Sequence, residues 1–488
     1  MNVNTSKLRH WLAKAAKLAL LCFCIHTNVL FAQNSPQLVK KTNQLSLPQG
    51  SNPQQLTTVG SITFFTAHTS TTGTELWKTD GTPAGTMLVK EIRIGSKGAL
   101  ISGLTKVNDT LFFTAYTNTT ARELWKSDGT EAGTTLVKDI NPEGNGGFPQ
   151  QLTDVNGTLF FSANNGTNGY ELWKSDGTEA GTTLVKDINT GGNSSSLLNL
   201  TNVNGTLFFS ANNGTNGAEL WKSDGTEVGT TLVKDIYPGR DSSAPDNLTN
   251  ISGTLFFKAY TNTNGYELWK SDGTNAGTTL IKDINPGNHS SAPNYLTNVN
   301  GSLFFAAFNT ANGYELWTSD GTEAGTTLFK DIVPGVGGSE LAYLTNVNGT
   351  LFFRADTSSS GYELWKSDGT EAGTSLIKDI GPIDDDSYPV YLTNVNGTLF
   401  FVGNNGTSGY ELWISDGTVA ATTLVKDIYT GGNSSFPHRL TNVNGTLIFS
   451  ANNGINGIEL WKSDGTEEGT TLIFNIQTDT ASSIPDKY

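Results

Sequence analysis

Hydrophobic residues along this chain return in short alternating runs rather than in helical stripes, as the stretch from Gln151 to Ile188 shows. Leu152-Thr153-Asp154-Val155 alternates apolar and polar side chains, Asn156-Gly157 follows, and Thr158-Leu159-Phe160-Phe161-Ser162-Ala163 is rich in strand-favouring residues. Two β segments joined by Asn-Gly predict a hairpin, because a type I′ turn needs positive φ at both central residues. A loop from Asn164 to Gly169, a run Tyr170-Glu171-Leu172-Trp173-Lys174, a turn from Ser175 to Gly181 and a last run from Thr182 to Ile188 complete the unit. We label the four predicted strands A to D. Strand B is apolar on both faces, with Leu159 and Phe161 alternating with Phe160, which suits a sheet covered on both sides.

The pattern repeats without a break. Glu-Leu-Trp places tryptophan at 77, 125, 173, 221, 269, 317, 365, 413 and 461, each step being 48 residues. Four antiparallel strands followed by a longer link, such as Asn141 to Gln151, is the order of a propeller blade. The expected fold is therefore all-β: a β-propeller of nine four-stranded antiparallel blades of 48 residues. Because propellers usually have about 4–8 blades, an open or superhelical β-repeat array is the alternative. A parallel β-solenoid fits less well, since its coils stack without tight hairpins.

The first strand A lies near Leu56 and the last strand D near Leu472 to Ile476, so each blade is complete without exchanging a strand. Residues 1–32 read as a secretory signal peptide: Lys7, Arg9, Lys14 and Lys17 precede the apolar run Leu18 to Ile25, and Ala32 stands at the cut. That run is too short to span a membrane, so the mature chain is expected to have no transmembrane segment. Residues 33–53 form an N-terminal linker in which Gln37 to Lys41 echo strand D and could add an edge strand. Residues 54–476 hold the nine repeats. In the tail, 477–488, Ser482-Ser483-Ile484-Pro485-Asp486 resembles the link Ser242-Ser243-Ala244-Pro245-Asp246.

The motif Glu171-Leu172-Trp173-Lys174-Ser175-Asp176-Gly177-Thr178 recurs in all nine units with small changes, such as Lys78-Thr79 in the first and Ile414-Ser415 in the eighth. It resembles the ELWxxDGT repeat family, sometimes labelled hyalin-like, of secreted or surface proteins of bacteria. The resemblance covers residues 54 to 488 and implies an extracellular location but no general activity. Asp176-Gly177-Thr178 is also similar to the Asp-box turn of sialidase propellers, which implies a structural role remote from any active site.

Composition sharpens this picture. Charged residues make up only 15% of the chain, against about 25% in a typical soluble domain. Both cysteines, Cys22 and Cys24, fall in the leader, so the mature chain has neither a disulfide nor a thiolate metal site. Removing the leader's four basic residues takes the net charge from −15 to −19. That charge is spread evenly over the repeats and argues against nucleic acid as a partner, which requires clustered Lys and Arg.

Equal copies describe scaffold. Trp173 and its equivalents are expected between blades, Asp176-Gly177-Thr178 in the C-to-D turn, and Glu171 in an ion pair with Lys186 or Lys174. The Asn-Gly-Thr triplets also spell glycosylation sequons, although turn and strand formation already account for them. Function is sought where repeats differ, in the D-to-A links and the B-to-C loops, which must emerge on one face of an up-down-up-down blade. Arg240, His289, Asp384, Asp385, Asp386, His438 and Arg439 are the candidate ligand contacts. We find no catalytic constellation and expect no metal or cofactor. The leading expectation is a secreted or cell-surface, non-enzymatic protein whose loop face binds an extracellular protein or glycan, for example in adhesion. A carbohydrate-active hydrolase or lyase with its site at the central channel, and a purely structural matrix protein, are the alternatives.

Overall fold

A computed structural model describes residues 50–357, 359–381 and 387–477. The leader, the Gln37 to Lys41 segment and all of the tail except Gln477 lie outside the described residues. The rest forms nine four-stranded antiparallel sheets, each in the order A-B-C-D, arranged as a β-propeller. In the third blade the strands are Gln150–Val155, Thr158–Asn164, Tyr170–Ser175 and Thr183–Lys186. Among the described residues no helix is long and apolar enough to cross a membrane.

Local chemistry explains the turns. Asn156 (φ 51°) and Gly157 (φ 84°) both take positive φ, and the same pair of conformations recurs in seven of the nine A-to-B hairpins. In the C-to-D turn, Asp176 Oδ1 accepts from Thr178 N at 2.8 Å and from Thr178 Oγ1 at 2.7 Å. Ser175 Oγ meets Thr182 Oγ1 at 2.7 Å, and Thr182 Oγ1 donates to the Thr178 carbonyl at 2.7 Å. The Asp-Gly-Thr turn thus spends its side chains on itself.

Blades pack face to face through the residues that alternate along strands B and C. Leu159, Phe161, Ala163 and Trp173 pack against Val107, Phe112, Leu124, Val137 and Ile140 of the blade before. From the other face, Phe160 and Leu172 join Val155, Val185 and Ile188 against Leu207, Phe209, Ala211 and Trp221 of the blade after. Each of the nine Glu-Leu-Trp tryptophans is therefore a wedge between blades, and all of these but Trp365 are buried. Trp413 shows what its ring nitrogen needs, since its Nε1 donates to Gly403 O at 3.1 Å where every other blade carries alanine.

The expected ion pair of Glu171 with a lysine does not form. Glu171 and Trp173 share one face of strand C, whereas Lys174 shares the other with Leu172, and the residue opposite Lys186 is Leu172. Both lysines reach the following blade instead. Lys174 Nζ donates to Gly225 O at 2.8 Å, and Lys186 Nζ donates to Thr230 O at 2.9 Å and Glu227 O at 3.2 Å.

These contacts continue across the chain ends, so the nine blades close one ring and the open-array alternative falls away. Phe65, Ala67 and Trp77 of the first blade pack against Val443, Ile448, Leu460, Ile473 and Ile476 of the ninth. Lys462 Nζ donates to Gly81 O at 3.0 Å, the same contact that Lys174 makes inside the ring. No strand is exchanged. The segment just before the first strand A docks on the ninth blade: Gly50 bridges Ile458, Asn52 N donates to Ile458 O at 3.0 Å, and Ser51 donates from N at 2.9 Å and from Oγ at 2.5 Å to the Glu459 carboxyl. Inside the ring, Ser243 does the same for Glu219, 24 residues before it. The closure is thus a link whose covalent continuity has been cut but whose hydrogen bonds remain. Ser51→Ala should lower stability by about 1–3 kcal/mol, the usual cost of removing a donor from a buried carboxyl group. A denaturation midpoint equal to that of the native chain would show that closure does not depend on this contact.

Candidate ligand-binding face

The glutamate of each Glu-Leu-Trp motif organises one face of the ring. Its side chain is 0% exposed in all nine blades. Glu219 accepts from Ile236 N at 2.8 Å, Ser243 N at 2.8 Å and Ser243 Oγ at 2.6 Å, which ties both ends of the D-to-A link to the start of strand C. Glu267, Glu363 and Glu411 bind their links in the same way. In strand D this capture ends pairing at Lys186, so that Asp187 and Ile188, expected as strand, belong to the link.

The B-to-C loops meet these links. Tyr170 N donates to Ser194 Oγ at 3.0 Å, and Asn168 Nδ2 donates to Asp187 Oδ2 at 2.7 Å. The two variable connections therefore share one face, and the Asp-Gly-Thr turns occupy the other.

On the variable face, the candidates fall into separate places. Arg240 and His289 are exposed in the links that precede blades five and six, and the structure does not bring them together. His438 and Arg439 begin the inner strand of blade nine, beside the closure. Gln54 of blade one holds both, with its Nε2 3.2 Å from His438 Nε2 and its Oε1 accepting from Arg439 Nε at 2.8 Å. Burial lowers the His438 pKa, opposed by its contact with the Phe436 carbonyl and reinforced by the Arg439 charge. Asp384, Asp385 and Asp386 lie outside the described residues. Among the described residues no group of three or more His, Cys, Asp or Glu side chains converges as a metal site would require.

The loops were not the whole of the variation. The inner strands A of successive blades lie side by side around the channel, for instance through Thr57 Oγ1 to Leu104 O at 3.2 Å and Thr297 Oγ1 to Leu344 O at 3.3 Å. A bulge follows the start of each strand A, and the second residue there takes positive φ in every blade. Where it is an amide it stitches neighbouring blades: Gln55 Nε2 donates to Ile101 O at 2.8 Å, Asn199 Nδ2 to Pro245 O at 3.1 Å and Asn247 Nδ2 to Pro293 O at 3.1 Å. Blades six, seven and eight carry Tyr295, Tyr343 and Tyr391 at this position, and blade nine carries Arg439. Comparing strand A between repeats would have revealed these three tyrosines, because the leucine and threonine that follow them never change.

Blade seven adds a buried cation. Arg354 stands where blades three and four carry serine, is 9% exposed, and lies 5.1 Å from the Tyr343 ring, 4.8 Å from Tyr362 and 4.3 Å from Tyr388. Three aromatic faces around one guanidinium fix the Tyr343 ring in place. Tyr362 donates its hydroxyl to Glu340 at the rim. Beside Tyr295, a cleft of about 560 Å³ opens between blades five and six, lined by Asn247, Leu248, Thr249, Asn294, Tyr295 and Leu296.

No family model matches the chain, and no curated protein matches it. Among solved structures it is similar to a computationally designed protein, Ika8, at 12% identity and a TM-score of 0.42, over 76% of this chain and 98% of that one. It is also similar to a puromycin hydrolase at 14% identity and a TM-score of 0.36, over 83% of this chain and 59% of the hydrolase. A prolyl endopeptidase matches at 12% identity and a TM-score of 0.41, over 75% and 54% of the two chains. The chain thus spans little more than half the length of these two enzymes, and at such scores nothing of their activity passes to it.

The buried glutamates make the ring pH-sensitive. Desolvation raises Glu219, Glu267 and Glu411 from 4.5 to about 7, although hydrogen bonds from serine and backbone N–H groups pull the other way. Between those values the folded chain holds protons that the unfolded chain has released, so each rise in pH favours unfolding. This stabilisation is complete below about 4.5 and lost as pH rises through about 7. The melting temperature should therefore fall between pH 5 and pH 8, in ~0.15 M salt to screen the net negative charge. Glu219→Gln should lessen that slope by one glutamate's share of the nine; a flat native profile would contradict the prediction.

Proposed function

We propose that this chain is a secreted or cell-surface repeat protein of the ELWxxDGT kind that catalyses nothing itself and presents its variable face to an extracellular protein or glycan, as an adhesive protein does. One observation carries the reading: nine buried carboxyl groups at the same place in strand C hold eight unequal links and the closing segment around Ser51 on one face, while the opposite face repeats the same self-satisfied turn. A scaffold that keeps its anchors and varies what they hold is suited to recognition.

The rival reading, a hydrolase or lyase at the channel, calls for acidic and basic groups converging from several blades. Besides apolar residues, the described inner strands carry mostly tyrosine, threonine and amide residues; of their charged residues, Lys106, Asp154 and Asp246 lie in three different blades, Asp246 is paired with Lys258 at 3.0 Å, and His438 and Arg439 are engaged with Gln54. This supports binding over catalysis. Folded protein applied to glycan and extracellular-protein arrays should give a signal that disappears when the link Pro238–Asp241 is replaced by the link sequence of another blade, or when the inner-strand residues are changed. Substitution of Val228, 89% exposed on the uniform face, should leave the signal intact. Self-assembly without any array signal would favour a structural matrix role and overturn the proposal.

A further inference from the structure

We infer that the arc of Tyr295, Tyr343 and Tyr391 at the channel mouth is a binding site for an uncharged oligosaccharide. The inference rests on the recognition role proposed above and assigns its location and ligand class.

The first ground is what these residues gave up. At the equivalent position Gln55, Asn199 and Asn247 each donate a hydrogen bond to the next blade. A tyrosine cannot make that bond from the same backbone. It is also poorly suited to positive φ, yet Tyr295 (57°), Tyr343 (60°) and Tyr391 (57°) all sit there. Three consecutive blades therefore forgo a stitching bond and accept a less favourable backbone in exchange for a ring, which packing of the ring-shaped scaffold does not require of the other six.

The second ground is how the rings are held. Tyr295 and Tyr391 are 47% and 48% exposed, far more than an aromatic residue that serves the core. Among the described residues their hydroxyls have no hydrogen-bond partner. Between them, Tyr343 is braced from behind by Arg354 at 5.1 Å, with Tyr362 and Tyr388 closing the other sides of that cation. The Tyr343 hydroxyl is raised chiefly by burial, and Tyr391, Tyr295 and Tyr388 all lie near enough to add to the effect. The arc is thus one surface, rigid at its centre.

The third ground selects the ligand. Rigid tyrosines offer amphipathic area at little entropic cost, with an apolar face for the C–H side of a sugar ring and a hydroxyl for its polar edge. The adjoining cleft, about 560 Å³, is lined by Asn247, Asn294, Thr249 and Tyr295 with Leu248 and Leu296 beneath, so it offers amide and hydroxyl partners but no charged side chain. The one buried cation of the arc is consumed by three aromatic faces, and Arg439 at its end gives Nε to Gln54. An anionic glycan would find its best charge partner occupied, and a protein would need to thread a segment into a concave channel.

The test applies the full chain to an array of neutral hexose and N-acetylhexosamine oligosaccharides alongside sulfated and uronic-acid glycans and extracellular proteins, and then measures affinities by calorimetry. Tyr295→Asn and Tyr391→Asn write into blades six and eight what blades four and five already carry, so both variants should fold and keep the native melting temperature. We expect neutral glycans to bind, each asparagine variant to weaken them by about tenfold or more, and Tyr295→Phe, which keeps the ring, to bind within about threefold of native. Neutral glycans that bind equally well to the asparagine variants overturn the inference. So does binding confined to acidic glycans or to proteins, although either of those outcomes leaves the broader recognition role standing. No binding on any array overturns both.

Discussion

A carboxyl group with no exposure to water must be met by donors, and that requirement, repeated nine times, shapes this protein. The glutamate of strand C takes the N–H of the isoleucine two residues past strand D in every blade and, in blades four, five, seven and eight, the N–H and hydroxyl of a serine seven residues later. The near end of each link is thereby held at one height, and where the serine contact is missing the far end is tied to strand C by a backbone bond, such as Ser195 N to Tyr170 O at 3.0 Å. The residues in the middle of the link are free to differ, and they do. The uniformity of the scaffold and the individuality of the face are two results of one interaction.

The same interaction closes the ring. Propellers often hold their ends together by sharing a strand between first and last blades, but here every blade is built from consecutive strands. Closure instead relies on Ser51 taking the place of a link serine at Glu459, backed by the apolar layer around Trp77 and by Lys462 on Gly81. The apolar wedge at the closing junction resembles the other eight, although Ile448 stands where they carry phenylalanine, so closure uses the same kind of packing and needs the angle between blades to sum to a full turn.

Much of this was legible beforehand, for identifiable reasons. Hairpins were readable because Asn-Gly has few other uses, and the two-sided blades because Leu159, Phe160 and Phe161 alternate with a period of two. The Asp-Gly-Thr turn was readable because a short acidic side chain beside glycine satisfies its own backbone. The partner of Glu171 is not legible in sequence, since proximity to Lys174 says nothing about which face each occupies. The pairing of Leu172 with Lys186 sends both lysines to the next blade and leaves the glutamate facing its own link. The tyrosine arc is hard to read from sequence because it lies at a bulge inside the inner strand, where the break in regular alternation hides which residues face the channel.

By itself, then, the sequence determined everything that depends on neighbours along the chain: strand type, turn type, the 48-residue unit and the division into constant and varied segments. What it left to the tertiary structure was everything that depends on the angle between one blade and the next. That angle decides whether nine units close or spiral, sets Ser51 on Glu459 across 408 residues, and brings Tyr295, Tyr343 and Tyr391, each 48 residues from the next, onto one surface. Such contacts are made between side chains that no local rule relates, and only the packed ring of aromatic wedges fixes their distance.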